Sequence, residues 1–110
     1  MLSTLDHIII AVEDLNHAEQ NYKKIFGIEP AWRGAHNDLG TANIIFNFKN
    51  TYFELLAANG SGLGAEFVTN SIKENGEGLI GVGFGTDDIK NSYSKFCLLY
   101  TSDAADDLWC

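Results

Sequence analysis

Residues Leu5–Leu15, LDHIIIAVEDL, decide the fold. Asp6–Val12 carries four β-branched residues in seven, a short run whose side chains suit a pleated sheet. Glu13 and Asp14 end the run, and Asp14 is placed to cap a helix, because its carboxylate can accept from the unpartnered N–H groups of a first turn. Alternation puts His7, Ile9 and Ala11 on one face of the strand and Ile8, Ile10 and Val12 on the other. The all-aliphatic face suits packing beneath the helix. His7 is left on the opposite surface of the sheet.

Downstream, Leu15, Ala18, Tyr22 and Ile25 recur as one apolar helical face, Gly27 supplies a stop, and Pro30 forbids continuation. Extended runs follow at about 31–35, 41–48 and 52–57, with Asn50-Thr51 marking a hairpin between the last two. In the middle run Ile44, Phe46 and Phe48 share one face, and Asn43, Ile45 and Asn47 the other. The first sixty residues thus read β-α-β-β-β. A glycine-rich linker at 59–64 leads to a short helix over about 65–74, a strand over 79–86, and an apolar helical pattern at Ile89, Tyr93 and Phe96. Laying Asp14-Leu15 on Asp88-Ile89 brings Ile8 onto Val82, Ile10 onto Phe84 and Tyr22 onto Phe96, an internal repeat of pattern more than of identity. The second unit then stops after its helix, without three return strands.

Seven basic residues against fifteen acidic ones give a net charge of −8, and no basic stripe exists. A phosphate backbone or an anionic membrane surface would be repelled, so neither nucleic acid nor membrane is an expected partner. No apolar run approaches the roughly 20 residues that span a bilayer, and residues 1–7 lack a signal-peptide pattern, which makes the cytoplasm the expected location. Cys97–Cys110, CLLYTSDAADDLWC, holds both cysteines, three aspartates and no base. It reads as a non-native tail resembling translated adapter read-through, with an irregular acidic tail as the alternative.

Glu54 is the informative polar residue. It lies within the apolar run YFELLAA, sharing a face with Tyr52 and Leu56 while Phe53 and Leu55 take the reverse. Burying that carboxylate charged and unpaired costs several kcal/mol, so it needs a cation, a hydrogen-bond partner or water. A divalent metal shared with a neutral His7 imidazole would satisfy both; a wet outer face of the sheet would satisfy Glu54 alone. The GVGFG run at 81–85 lies inside a strand and lacks a following Lys-Ser/Thr, so it is no nucleotide loop.

LDHIIIAVEDL, the helix ending in FGIEP (26–30), and FELL (53–56) together resemble the first module of the vicinal oxygen chelate fold. HNDLGTAN (36–43) is similar to a motif of its glyoxalase-like subgroup. The resemblance covers about residues 4–96 and implies an α+β domain over 1–96: a βαβββ module at about 4–58, a linker and helix at 59–78, and a partial second module at 79–96. Paired modules of this superfamily form a cup in which strand residues commonly hold a divalent metal. His7 matches the first-strand histidine of that set and Glu54 the fourth-strand glutamate. Gly81 departs from it, standing where the second module would supply its own ligand; with Gly83 and Gly85 it would leave bare backbone on that side of the cup. His36 is implied as a metal ligand, an anion contact or an acid–base catalyst, or else as a histidine that only shapes its turn. Asn43 and Asn47 could orient a ligand carbonyl or merely bridge strands. Trp32 could line the cup or its rim, and His17 is expected to be solvated.

The functional expectation is metal-assisted chemistry on a small oxygenated molecule, of lyase, isomerase, epimerase or dioxygenase type. The metal would act as a Lewis acid toward an enolate-like intermediate, or activate dioxygen. The competing expectation is a metal-free protein that sequesters a small molecule or antibiotic, as bleomycin-resistance relatives of the fold do. A third is that this chain does nothing alone and associates, as a homodimer, through the strand edge left open.

Overall fold

The computed structural model describes residues 2–100, with side chains as far as residue 95. The elements are β1 (Leu2–Ala11), α1 (Leu15–Phe26), β2 (Trp32–His36), β3 (Thr41–Asn47), β4 (Tyr52–Ala58), α2 (Leu63–Asn75), β5 (Gly78–Thr86) and α3 (Ile89–Tyr100). This is the mixed α and β architecture expected. The stretch 97–110, expected to be a non-native tail, lies outside the described side chains. Among the described residues no helix is long and apolar enough to cross a membrane.

The strands form one sheet in the order β2-β3-β4-β1-β5. Contacts divide the chain into a larger unit, Leu5–Gly83, and a smaller one made from the residues on either side of it. In the larger unit β2–β3 and β3–β4 are antiparallel, whereas β1 runs parallel to β4 with His7 opposite Tyr52 and Ile9 opposite Glu54. The aliphatic face of β1 meets the helix as alternation requires: Ile10, Val12, Ile44, Phe46, Leu55 and Ala57 are buried together with Ala18 of α1.

Helix α1 begins where its cap chemistry dictates. The Asp14 carboxylate accepts from the His17 N–H at 3.1 Å, and Gly27 closes the helix in the left-handed region at φ 70°. One expectation for its apolar face is corrected. Ile25 is 68% exposed, and Phe26 packs in its place against Phe46, Phe48 and Phe53. At about 100° per residue, Ile25 lies roughly 80° away from Leu15 around the helix, whereas Phe26 returns to within about 20°. β3 also ends one residue early, because the Phe48 N–H donates to the Thr51 carbonyl at 2.9 Å and closes a four-residue turn.

The HNDLGTAN stretch forms the β2–β3 turn. Gly40 takes φ 70°, and a Cβ there would run into the Ser61 backbone, so the turn docks on the linker. The Ala65 N–H donates to the Leu39 carbonyl at 2.9 Å and ties the start of α2 to the same turn.

In the smaller unit the Asp88 carboxylate accepts from the Asn91 N–H at 3.1 Å, and the Ser92 N–H donates to the Asp88 carbonyl. These are the contacts that Asp14 makes with His17 and Ala18 in the larger unit. The overlay of Asp14 on Asp88 therefore matches equivalent caps.

Candidate functional site

Register and alternation place Tyr52, Glu54, His7, Ile9, Asn43, Ile45, Asn47 and Trp32 on the sheet face opposite α1. That face carries the polar groups because the reverse one is filled by the aromatic and aliphatic core.

Two sequence-expected ligands meet here. His7 Nε2 stands 3.7 Å from Glu54 Oε1, with side chains 19% and 13% exposed. That separation is longer than a hydrogen bond. The other carboxylate oxygen, Oε2, accepts from Asn43 Nδ2 at 2.8 Å. The partner demanded by a carboxylate in an apolar run is thus, in the first instance, an asparagine amide. Committing its N–H to Glu54 leaves Asn43 Oδ1 buried without a hydrogen-bond partner, in a residue only 4% exposed. Leaving a buried acceptor unmade costs about 1–3 kcal/mol. An incoming donor or cation would relieve it.

Three further residues fix the imidazole. Tyr52 stacks flat on it, with ring centroids 4.5 Å apart and planes within 2°. The Asp6 carboxylate lies 2.9 Å from His7 Nδ1, and its charge acts on the Tyr52 hydroxyl. Gly83 of β5 supplies open space: a Cβ at that position would overlap the His7 ring. Burial, then the charges of Asp6 and Glu54, push the Tyr52 hydroxyl above its ordinary pKa, so the phenol stays protonated and able to donate to Asp6.

The remaining expected residues lie apart from this pair. Trp32 shares the Glu54 rung two strands away, is 59% exposed, and folds its indole over Gly34. Asn47 pairs with Tyr52 and is exposed. His36 pairs with Thr41, opposite Ala58, four residues along β4 from Glu54, or about 13 Å of strand. Its carbonyl accepts from the Leu39 and Gly40 N–H groups, both at 3.0 Å, so His36 shapes the turn. His17 is exposed on α1, as expected. Gly81 lies against Ile9, and the glycine beside the imidazole is Gly83.

Sequence reading missed Asp6 and Tyr52, and it put Gly83 on the cup side as bare backbone without the His7 ring it makes room for. Tyr52 was on the right face, but only the parallel register reveals that it faces His7. Alternation pointed Asp6 to the reverse side, yet at an exposed position within β1 its carboxylate reaches the imidazole of the next residue. Among the described residues no group of three or more His, Cys, Asp or Glu side chains is arranged to hold an ion. The surface hollows lie elsewhere, one being lined by Arg33, Glu13, Asn16 and Ala57. There Arg33 is engaged by Glu19 at 2.8 Å and Asn16 at 2.6 Å, which commits its guanidinium within the fold.

A family model described as a glyoxalase-like domain matches residues 5–98. The structure is similar to Streptomyces coelicolor methylmalonyl-CoA epimerase in complex with 2-nitronate-propionyl-CoA, with TM-score 0.71 and 25% identity over 87% of this chain and 69% of that one. Two likenesses bear on fold alone. Methylmalonyl-CoA epimerase from Mycobacterium tuberculosis gives TM-score 0.72 at 21% identity over 89% and 65% of the two chains. A hypothetical protein of Bacillus halodurans gives 0.75 at 20% over 88% and 68%. No curated protein matches this chain.

Proposed function

This chain belongs to the glyoxalase-like domain family, and we propose that its sheet face holds a divalent cation through His7 and Glu54 for chemistry on a small oxygenated molecule. One observation carries the reading: a nitrogen and a carboxylate oxygen converge to 3.7 Å, too far to bond each other and within reach of one shared ion. Metal–nitrogen and metal–oxygen bonds of about 2.0–2.2 Å span that gap. The mixed imidazole and carboxylate donors suit a divalent ion, and the unpartnered Asn43 Oδ1 is a further oxygen acceptor on the residue that holds Glu54. When bound, the cation would supply Lewis-acid polarisation of substrate oxygens.

The chain's own residues bind and orient. Asn43 holds Glu54, and Tyr52 covers one face of His7. Likeness to an epimerase crystallised with an acyl-CoA analogue favours isomerase-type chemistry on a carbonyl compound over lyase or dioxygenase chemistry. His36 receives no step in this reading because of its distance along the strands.

Bound-metal analysis and manganese(II) titration of wild type, His7→Ala and Glu54→Ala provide the test. Wild type is expected to take up one ion. Each variant should weaken binding by more than the roughly 10–100-fold that loss of an outer-shell partner costs. Equal, negligible metal in all three would leave the second reading, a metal-free small-molecule or antibiotic-binding protein. Gly83, which brings only backbone beside the His7 ring from β5, favours that alternative.

The same reading places the protein in the cytoplasm as a homodimer. β5 ends the sheet order, with Leu79 63% and Val82 44% exposed. Sedimentation velocity is expected to show concentration-dependent association, and a monomer at every concentration would exclude it.

A further inference from the structure

We propose that Asp6 is the positioning residue of this site: it takes the single N–H of neutral His7 at Nδ1 and leaves Nε2 as a bare lone pair toward Glu54. The inference rests on the cation reading above. A neutral imidazole has one N–H and one lone pair, and which nitrogen carries the proton is set by the partner it finds. Here the two candidate partners are both carboxylates. Asp6 Oδ2 lies 2.9 Å from Nδ1, inside hydrogen-bond range, whereas Glu54 Oε1 lies 3.7 Å from Nε2, outside it. A carboxylate can only accept, so Nδ1 donates to Asp6. The lone pair then points to the side where Glu54 waits, also as an acceptor.

Asp6 is itself held. The Thr51 hydroxyl donates to its backbone carbonyl at 2.8 Å, and the ring of the next residue, Tyr52, stacks on the imidazole that Asp6 holds. Residues 6, 7, 51 and 52 therefore form one assembly across the parallel β1–β4 pair, and its output is the orientation of a single ring nitrogen. Asp6 touches neither the proposed ion nor a substrate; it acts through His7. A carboxylate behind a metal-binding imidazole also raises the basicity of the nitrogen that binds. The Asp6 side chain is 53% exposed, so the effect belongs at the lower end of what such partners supply.

Long-range proton–nitrogen correlation spectra of the metal-free full chain, at a pH well above the imidazole range, read the tautomer directly. Wild type is expected to show His7 with its proton on Nδ1. Asp6→Ala is expected to shift the population toward the Nε2–H form, and Asp6→Asn, which keeps an acceptor oxygen, should restore much of the wild-type pattern. Cobalt(II) affinity should fall about tenfold in Asp6→Ala, with less change in Asp6→Asn. An unchanged tautomer in Asp6→Ala would overturn the proposal. So would a wild type with its proton on Nε2, a result that needs no variant to fold. A wild type that takes up no cobalt(II) but carries the proton on Nδ1, with the tautomer released in Asp6→Ala, removes the cation reading and upholds the Asp6–His7 coupling.

Discussion

Gly83→Ala is expected to abolish divalent-cation affinity about as completely as His7→Ala, while the protein stays folded. The added Cβ would overlap the imidazole of His7. The backbone of Gly83 is not in the left-handed region, so alanine meets no conformational penalty there. What must yield is a side chain able to turn about χ1, at a cost of order 1 kcal/mol for strained or repacked rotamers. It cannot turn without leaving Asp6, Tyr52 and Glu54, which all contact or face it in its present rotamer. The loss should therefore appear in metal titration and hardly in a thermal melt. An alanine variant that binds manganese(II) as wild type does would show that the ring is not where the cation reading needs it.

Phe46→Ala should have the largest effect on stability, about 3–5 kcal/mol. Phe46 is fully buried, meets Phe26 edge-on at 5.4 Å, and lies opposite Phe53 in the β3–β4 register. Domains of this size are commonly stable by only about 5–15 kcal/mol, so most of the margin would go. Urea unfolding checks this, and a change below about 1 kcal/mol would mean that the aromatic cluster repacks around the gap. Metal affinity extrapolated to the folded fraction should change little, since Phe46 faces away from Glu54. The pair of substitutions thus separates the two faces of one sheet: Gly83 governs the site and Phe46 the core.

Much of this arrangement was legible before any coordinates. The strand and helix of Leu5–Leu15, the Asp14 cap and the Gly27 stop follow from interactions between residues within about four positions of one another. The same local logic put His7 and Glu54 on the polar faces of their strands. Where it failed, the failure was specific. Ile25 is apolar and lies three residues beyond Tyr22, as a buried stripe of α1 would require, yet Phe26 packs on the core and Ile25 is exposed. His36 stood out by residue type and motif, but its carbonyl does the observable work in the turn and its ring is four residues along the strands from Glu54.

Alternation and capping chemistry, which act along the chain, determined by themselves that this protein begins with a strand and an amphipathic helix, that an imidazole and a carboxylate lie opposite its core, and that the carboxylate needs a partner. Only the tertiary structure decided who those partners are. The parallel pairing of β1 with β4 joins residues 45 positions apart and sets Tyr52 beside His7, and Asn43 reaches Glu54 from the neighbouring strand. Register is chosen by how the whole aliphatic face packs against α1, a collective quantity that no single segment encodes. A glycine's value at position 83 is likewise invisible until the ring it makes room for is seen.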